Sequence, residues 1–175
     1  MSYRILRDTW VYQQENYSGP LKTERVCVVG NGPLTEDQRV EIADCSRIVR
    51  FNDMKNKRPE DRVDVHVKRL QDSMQVCSGE SCNERALKGQ GYSLFPSCSV
   101  REDIPELAKM ELRPTTGTMF LSDLQEADPD VDDIRIYGMN WNMTDTVHSR
   151  NEGLLIEKCC TKCKVSPTPT KNYLP

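Results

Sequence analysis

Apolar residues in this chain fall in short bursts, each closed by glycine, proline or a polar turn. Val26-Cys27-Val28-Val29 is the first, and Gly30-Asn31-Gly32-Pro33 ends it. A run that short, bounded by glycine, predicts a buried strand of a parallel sheet. Thr35 followed by Gln38 has the spacing of a capping box. The helix it opens is expected to use Val40, Ile42 and Ala43 and to end near Asp44. Ile48 to Phe51 predicts a second strand, closed by Asn52-Asp53. Val63, Val65 and Val67 alternate with Asp64, His66 and Lys68, which is the period of a strand with two different faces.

Strand, glycine turn, helix and strand make a βαβ unit, normally a right-handed crossover. Beyond it, residues 71–92 are polar and read as loop with a short helix near Asn83 to Lys88. Tyr92 to Phe95 reads as a fourth strand. Ile104 to Leu112 has helical spacing, and Pro114 stops it. Thr115-Thr116-Gly117 then opens a helix that turns Met119, Phe120 and Leu124 inward. Asp128 to Asp133 reads as acidic loop, Ile134 to Tyr137 as a strand closed by Gly138, and Glu152 to Lys158 as a helix. The fold class is α/β around a mainly parallel sheet. Residues 1–24 are polar and aperiodic and read as an arm. Residues 161–175 hold three prolines and no core pattern and read as a disordered tail. The folded domain is then 25–160.

Composition narrows the function classes. Hydrophobic residues are 37% of 175, enough for one core. Lys and Arg number 24 against 27 Asp and Glu, a net charge of −3, which argues against a general nucleic-acid binder. No run of about 18 apolar residues exists, so no membrane span is expected. Met1 to Asp8 has no apolar stretch resembling a secretion signal. Eight cysteines invite disulfides, while the missing export signal argues the other way, so pairing and compartment stay open. Asn16-Tyr17-Ser18 and Asn142-Met143-Thr144 are N-x-S/T triplets, relevant only in a secretory compartment. Cys159-Cys160-x-x-Cys163 gathers three thiols, but no second Cys or His pair at zinc spacing follows. The aspartates between Asp128 and Asp132 precede a strand and read as a solvated loop. No metal site is assigned.

Four features carry candidate chemistry. The glycine turn at Gly30-Asn31-Gly32 exposes backbone N–H groups ahead of a helix, where an anionic phosphate is favoured. It lacks the third glycine of the dinucleotide fingerprint. Asn52 ends a strand, and in α/β folds strand ends point at the same crevice as the glycine turn. Its structural alternative is a turn-forming Asn. Thr115-Thr116-Gly117 offers two hydroxyls and free helix N–H groups, a second anion site, with a simple N-cap as the alternative. Only His66 and His148 can supply an imidazole base. His66 lies in a strand pattern, where a satisfied polar contact explains it. His148 reads as part of a polar loop, a better place for a catalytic group.

In order along the chain, these features resemble the sialyltransferase family, glycosyltransferase family 29. Val28-Val29-Gly30-Asn31-Gly32, Ile42, Asp44 to Ser46 and Val49-Arg50-Phe51-Asn52 resemble its large motif. Pro114-Thr115-Thr116-Gly117 through Ile136-Tyr137-Gly138 resembles the small motif, and His148 with Glu152 the very small one. The resemblance implies a GT-A-like, Rossmann-like three-layer sandwich. It implies Asn31 and Asn52 on the nucleotide and phosphate of CMP-sialic acid, with Thr115, Thr116 and Gly117 on its other side. His148 would be the general base that deprotonates a hydroxyl of a glycan acceptor. The reaction would be an inverting, metal-independent displacement with CMP leaving and no cofactor, and the compartment the Golgi lumen. Val26 and Val131 stand where the family has paired cysteines, and its His-Tyr-Tyr motif has no counterpart. A catalytically degenerate nucleotide- or glycan-binding relative is the alternative.

Overall fold

A computed structural model describes residues 25–71, 73–86, 94–98, 115–128, 131–139 and 147–169. Seven strands form one sheet in the order β5-β4-β3-β2-β1-β6-β7. They are β1 (Arg25–Val29), β2 (Arg47–Phe51), β3 (Val65–Arg69), β4 (Ser73–Ser78), β5 (Ser81–Ala86), β6 (Asp133–Tyr137) and β7 (Cys163–Val165). β3, β2, β1, β6 and β7 run parallel to one another, and β4 and β5 add an antiparallel edge beside β3. Among the described residues the helices are α1 (Glu36–Ala43), α2 (Thr116–Ala127) and α3 (Val147–Cys159).

The alternation of side chains along β1 sorts the helices onto two faces. Val26 and Val28 pack with Phe120 and Leu124 of α2 and Leu155 and Ile156 of α3 in the larger cluster. Cys27 and Val29 pack with Ile42 of α1, Ile48 and Tyr137 in a smaller one. β1 is therefore apolar on both faces because both are covered, as its sequence predicts. Phe51 and Phe120 meet edge to face with centroids 5.7 Å apart, tying β2 to α2. α1 is less apolar than expected. Ile42 is buried, but Val40 is 70% exposed and Ala43 is exposed too. The helix is fixed at its start by the Thr35–Gln38 capping box.

Three expectations are corrected. Residues 73–86 are a β-hairpin, not loop and helix. Its two-residue turn uses Gly79 at φ +58°, and Cys77 bonds Cys82 directly across the strands. Only Met74 and Val76 mark the buried face of β4, too few to reveal the period. Leu94 and Phe95 are not in a strand. Phe95 takes φ +50°, its N–H donates to Ser122 Oγ at 2.7 Å, and Pro96 follows with no N–H for a ladder. The tail is ordered through residue 169. β7 pairs with β6, the Ser166 N–H donates to the Ile136 carbonyl, and Gln38 Nε2 donates to Ser166 Oγ and the Pro167 carbonyl. Main-chain bonds hold this piece, and they leave no hydrophobic pattern. The expected arm over residues 1–24, the helix from Ile104 to Leu112 and both N-x-S/T triplets lie outside the described residues.

All eight cysteines are paired: Cys27 with Cys45, Cys77 with Cys82, Cys98 with Cys159, and Cys160 with Cys163. The three thiols read as a possible start of a metal site are thus in two different bridges. Cys98–Cys159 ties the 94–98 segment to the end of α3, closing a separation of 61 residues. No described helix is long and apolar enough to cross a membrane.

Candidate functional site

The strand order runs outward from β1 through β2 to β3, then restarts on the other side of β1 with β6 and β7. The reversal lies between β1 and β6. Parallel strands on either side of such a point leave a crevice beyond their carboxyl ends. A cleft of about 410 Å³ opens there. Residues just after β1 (Gly30, Asn31), β2 (Asn52) and β6 (Gly138, Met139) line it, together with Phe51, Arg69, the start of α2 and Glu152 of α3. Asn31, Asn52, Thr115, Thr116 and Gly117, all singled out from sequence, meet in this one cleft.

The glycine turn does a different job from the expected one. The Gly30 N–H donates to the Tyr137 carbonyl at 2.8 Å, and the Gly32 N–H to the Gly138 carbonyl at 2.7 Å. Both donors are consumed, so neither can cradle a phosphate. A Cβ on Gly30 would stand 2.5 Å from the Gly138 carbonyl oxygen, and one on Gly138 (φ +67°) 2.9 Å from that of Gly30. The glycines let the loops after β1 and β6 cross backbone to backbone. Asn56 braces the crossing, its Nδ2 donating to the carbonyls of Gly30 (2.8 Å) and Gly32 (2.6 Å). Asn31 is engaged at both ends of its amide. Nδ2 donates to the Phe51 carbonyl at 3.0 Å, and Oδ1 accepts the Lys55 N–H at 2.7 Å.

Asn52 sits at φ +49°, a left-handed conformation that Asn tolerates better than most residues. Its Oδ1 accepts the Arg69 N–H at 2.8 Å, which docks the end of β2 on the end of β3. His66 Nε2 donates to the Asn52 carbonyl at 2.7 Å, the satisfied contact expected of that residue. Asn52 is exposed, and its Nδ2 has no hydrogen bond among the described residues. Arg69 brings a cation to the cleft, and its Nη1 also touches Met119 Sδ at 3.6 Å. Sequence reasoning missed Arg69, although a place at the end of a strand was the signal that picked out Asn52.

On the opposite wall Thr115 is the N-cap of α2, yet its side chain caps no backbone N–H. Its Oγ1 donates instead to Thr118 Oγ1 at 3.3 Å. The first amides of α2, at Thr116, Gly117 and Thr118, lack intrahelical partners by helix geometry. Thr116 and Gly117 line the cleft. Glu152, 1% exposed, accepts the Thr115 N–H on its Oε1 at 2.8 Å. A carboxylate near a helix N-terminus is favoured by the dipole, so Glu152 fixes the start of α2. His148 is in the first turn of α3 rather than in a loop. It lies four residues before Glu152, the spacing that places two residues on one helix face. Its side chain lies outside the described residues.

Chemically, the cleft joins a helix N-terminus and a guanidinium, which favour an anion, to amide and hydroxyl groups that can orient a sugar or nucleoside. Among the described residues, no group of three or more His, Cys, Asp or Glu is placed to hold a metal ion. Compared with known protein families, curated proteins and solved structures, the chain matches none.

Proposed function

We propose that this cleft binds CMP-sialic acid and that the chain is a sialyltransferase-like, GT-A-like glycosyltransferase, inverting and metal-independent. One observation carries the proposal. Positions assigned to the donor by sequence resemblance, from two segments more than 60 residues apart, line a single cleft at the switch point of the sheet. The open start of α2 and Arg69 take the phosphodiester anion, and Asn52 Nδ2 and the Thr116 hydroxyl orient the donor. With the glycine donors consumed, α2 carries more of the anion than the resemblance alone implies. His148 removes the proton from an acceptor hydroxyl, whose oxygen bonds the anomeric carbon as the bond to phosphate breaks and CMP leaves. Such a base contributes about 100-fold to 10,000-fold, and alignment of donor and acceptor supplies much of the rest. The four disulfides favour an oxidising compartment, as the Golgi lumen is.

The test is thermal stability in the presence of CMP, UDP, GDP, AMP or NAD, with and without EDTA. A ligand that binds only the folded state adds about 2.7 kcal/mol at 100 times its Kd. Stabilisation by CMP alone, unchanged by EDTA and lost in Asn52→Ala, is expected. Transfer from CMP-sialic acid that His148→Ala abolishes completes the case. No response to CMP, or a response to NAD instead, removes the donor assignment. Binding of CMP with no transfer to any glycan leaves the non-catalytic relative.

A further inference from the structure

The face of the sheet under α1 holds a second, separate cavity of about 210 Å³. Ile42 and Ile48 contribute its apolar wall, and Arg39, Arg50, Arg62, Glu60 and Asp61 its polar one. Three guanidinium groups and two carboxylates line it, and a third carboxylate, Asp64, pairs with Arg62 from outside. The charges are poorly matched. Asp61 Oδ2 accepts from Arg39 Nη1 at 3.1 Å and from the Arg58 N–H at 2.9 Å. It stands 4.0 Å from Arg50 Nη2, too far for a hydrogen bond. Arg62 directs its Nε to Asp64, outside the cavity.

Arg50 is left with a buried charge and weak partners. Its side chain is 3% exposed. Nε donates to the Arg62 carbonyl at 3.2 Å, and Nη1 to Asn56 Oδ1 at 3.4 Å. Burial pushes its pKa below the ordinary arginine value. Arg39 Nε is buried with no partner among the described residues. Unpaired donors and an under-compensated guanidinium are costly in a low-dielectric site. An oxyanion accepts several N–H bonds at once, and guanidinium groups suit it geometrically.

We infer that this cavity is a binding site for a small oxyanion such as inorganic phosphate or sulfate, coupled to the cleft through Asn56. The coupling follows from one residue, through both its main chain and its side chain. The Asn56 carbonyl accepts from Arg39 Nη1 at 2.9 Å and its Oδ1 from Arg50, while its Nδ2 holds the carbonyls of Gly30 and Gly32. An ion that draws Arg39 and Arg50 toward itself shifts the brace of the glycine crossing, which forms one wall of the cleft.

The experiment titrates the whole chain with phosphate or sulfate at constant ionic strength, with chloride as the control. It reads thermal stability and the arginine Nε–H signals by NMR. Saturable stabilisation is expected, with the Arg39 Nε–H signal moving along the same isotherm. Arg39→Gln is expected to weaken the response about tenfold, and Asn52→Ala to leave it unchanged within about twofold. The wild-type NMR arm stands even where Arg39→Gln fails to fold. A response no larger than that of chloride overturns the site. So does one lost in Asn52→Ala but kept in Arg39→Gln, because the ion then sits in the cleft. The response to CMP is read separately, so failure of the donor proposal leaves this result interpretable.

Discussion

Two helices of this chain begin behind a turn that reads as an anion site, and they end up with opposite characters. α1 is closed on itself. Thr35 Oγ1 accepts the Gln38 N–H, Gln38 Oε1 accepts the Thr35 N–H, and Glu36 and Asp37 put negative charge in the first turn. The N–H groups of Gly30 and Gly32 ahead of it are bonded to β6 and its following residue. α2 has no side-chain cap and no acidic residue in its first turn, and it opens on the cleft. A glycine-rich turn before a helix is therefore not by itself an anion site. What decides is which donors remain after the fold has satisfied its own carbonyls.

The largest effects are expected where the glycines hold backbone against backbone. Gly30→Ala drives a Cβ to 2.5 Å from the Gly138 carbonyl oxygen, and neither backbone can yield without spreading β1 from β6. A loss of about 1–3 kcal/mol is expected, together with the CMP response, since both loops wall the cleft. Gly117→Ala tests the contrast. There the nearest atom is Met139 Cε at 2.8 Å, the end of a flexible side chain. Alanine also favours a helix by about 1 kcal/mol over glycine. Urea midpoints are expected to fall clearly for Gly30→Ala and hardly at all for Gly117→Ala. Equal losses would show that the loops after β1 and β6 do not depend on their close crossing.

Next in size is Glu152→Ala, which strips the partly buried Thr115 N–H of its carboxylate acceptor. About 1–3 kcal/mol of stability is at stake. Glu152→Gln keeps an oxygen acceptor and is expected to recover roughly half of that. If both variants are as stable as the wild type in denaturant, the start of α2 is not held by α3.

The contrast between the two helix starts also marks where sequence was readable. The capping box at Thr35, the two-faced burial of β1 and the inward face of α2 depend on local spacing, and spacing is what a sequence displays. Asn31, Asn52 and Thr115 to Gly117 were legible as residues of one cleft because strand ends and helix starts converge in parallel α/β sheets. Arg69 was passed over, because its place at a strand end does not by itself distinguish a cation that reaches the cleft from one in solvent. The bonds that silence Gly30 and Gly32 were invisible too. They come from β6, more than 100 residues away, and a partner at that distance leaves no trace around the turn. β7 escaped for the same reason, since its hold is main-chain pairing with β6.

Threonine deletions invert the comparison. Thr35→Ala removes a capping hydrogen bond and is expected to cost about 1 kcal/mol. The CMP response should stay intact, because Thr35 does not line the cleft. Thr115→Ala removes no cap bond and is expected to cost only a few tenths of a kcal/mol, while weakening the CMP response. Denaturation and ligand titration of the two variants give a crossed pattern. Should both lose stability alike and bind alike, α2 is no more open than α1.

The smallest effect near neutral pH belongs to the α1 side. Tyr137, 4% exposed, donates its hydroxyl hydrogen to Glu41 Oε2 at 2.9 Å. Burial first, and then the bond to Glu41, push its pKa from 10.0 up to about 12. The folded phenol therefore keeps its proton in a range where the unfolded one has lost it. The contribution is complete below about pH 10, and it fades as pH climbs toward about 12, where the folded state must ionise as well. Lysines titrate in the same window, so the comparison that isolates Tyr137 is with Tyr137→Phe. Between about pH 9 and about pH 11 the wild-type urea midpoint is expected to fall more steeply than that of the variant. Parallel slopes would mean that the hydroxyl is solvated in the folded state. α1 would then be held on the sheet by packing around Ile42 and by the Cys27–Cys45 bridge to β1, without this hydrogen bond.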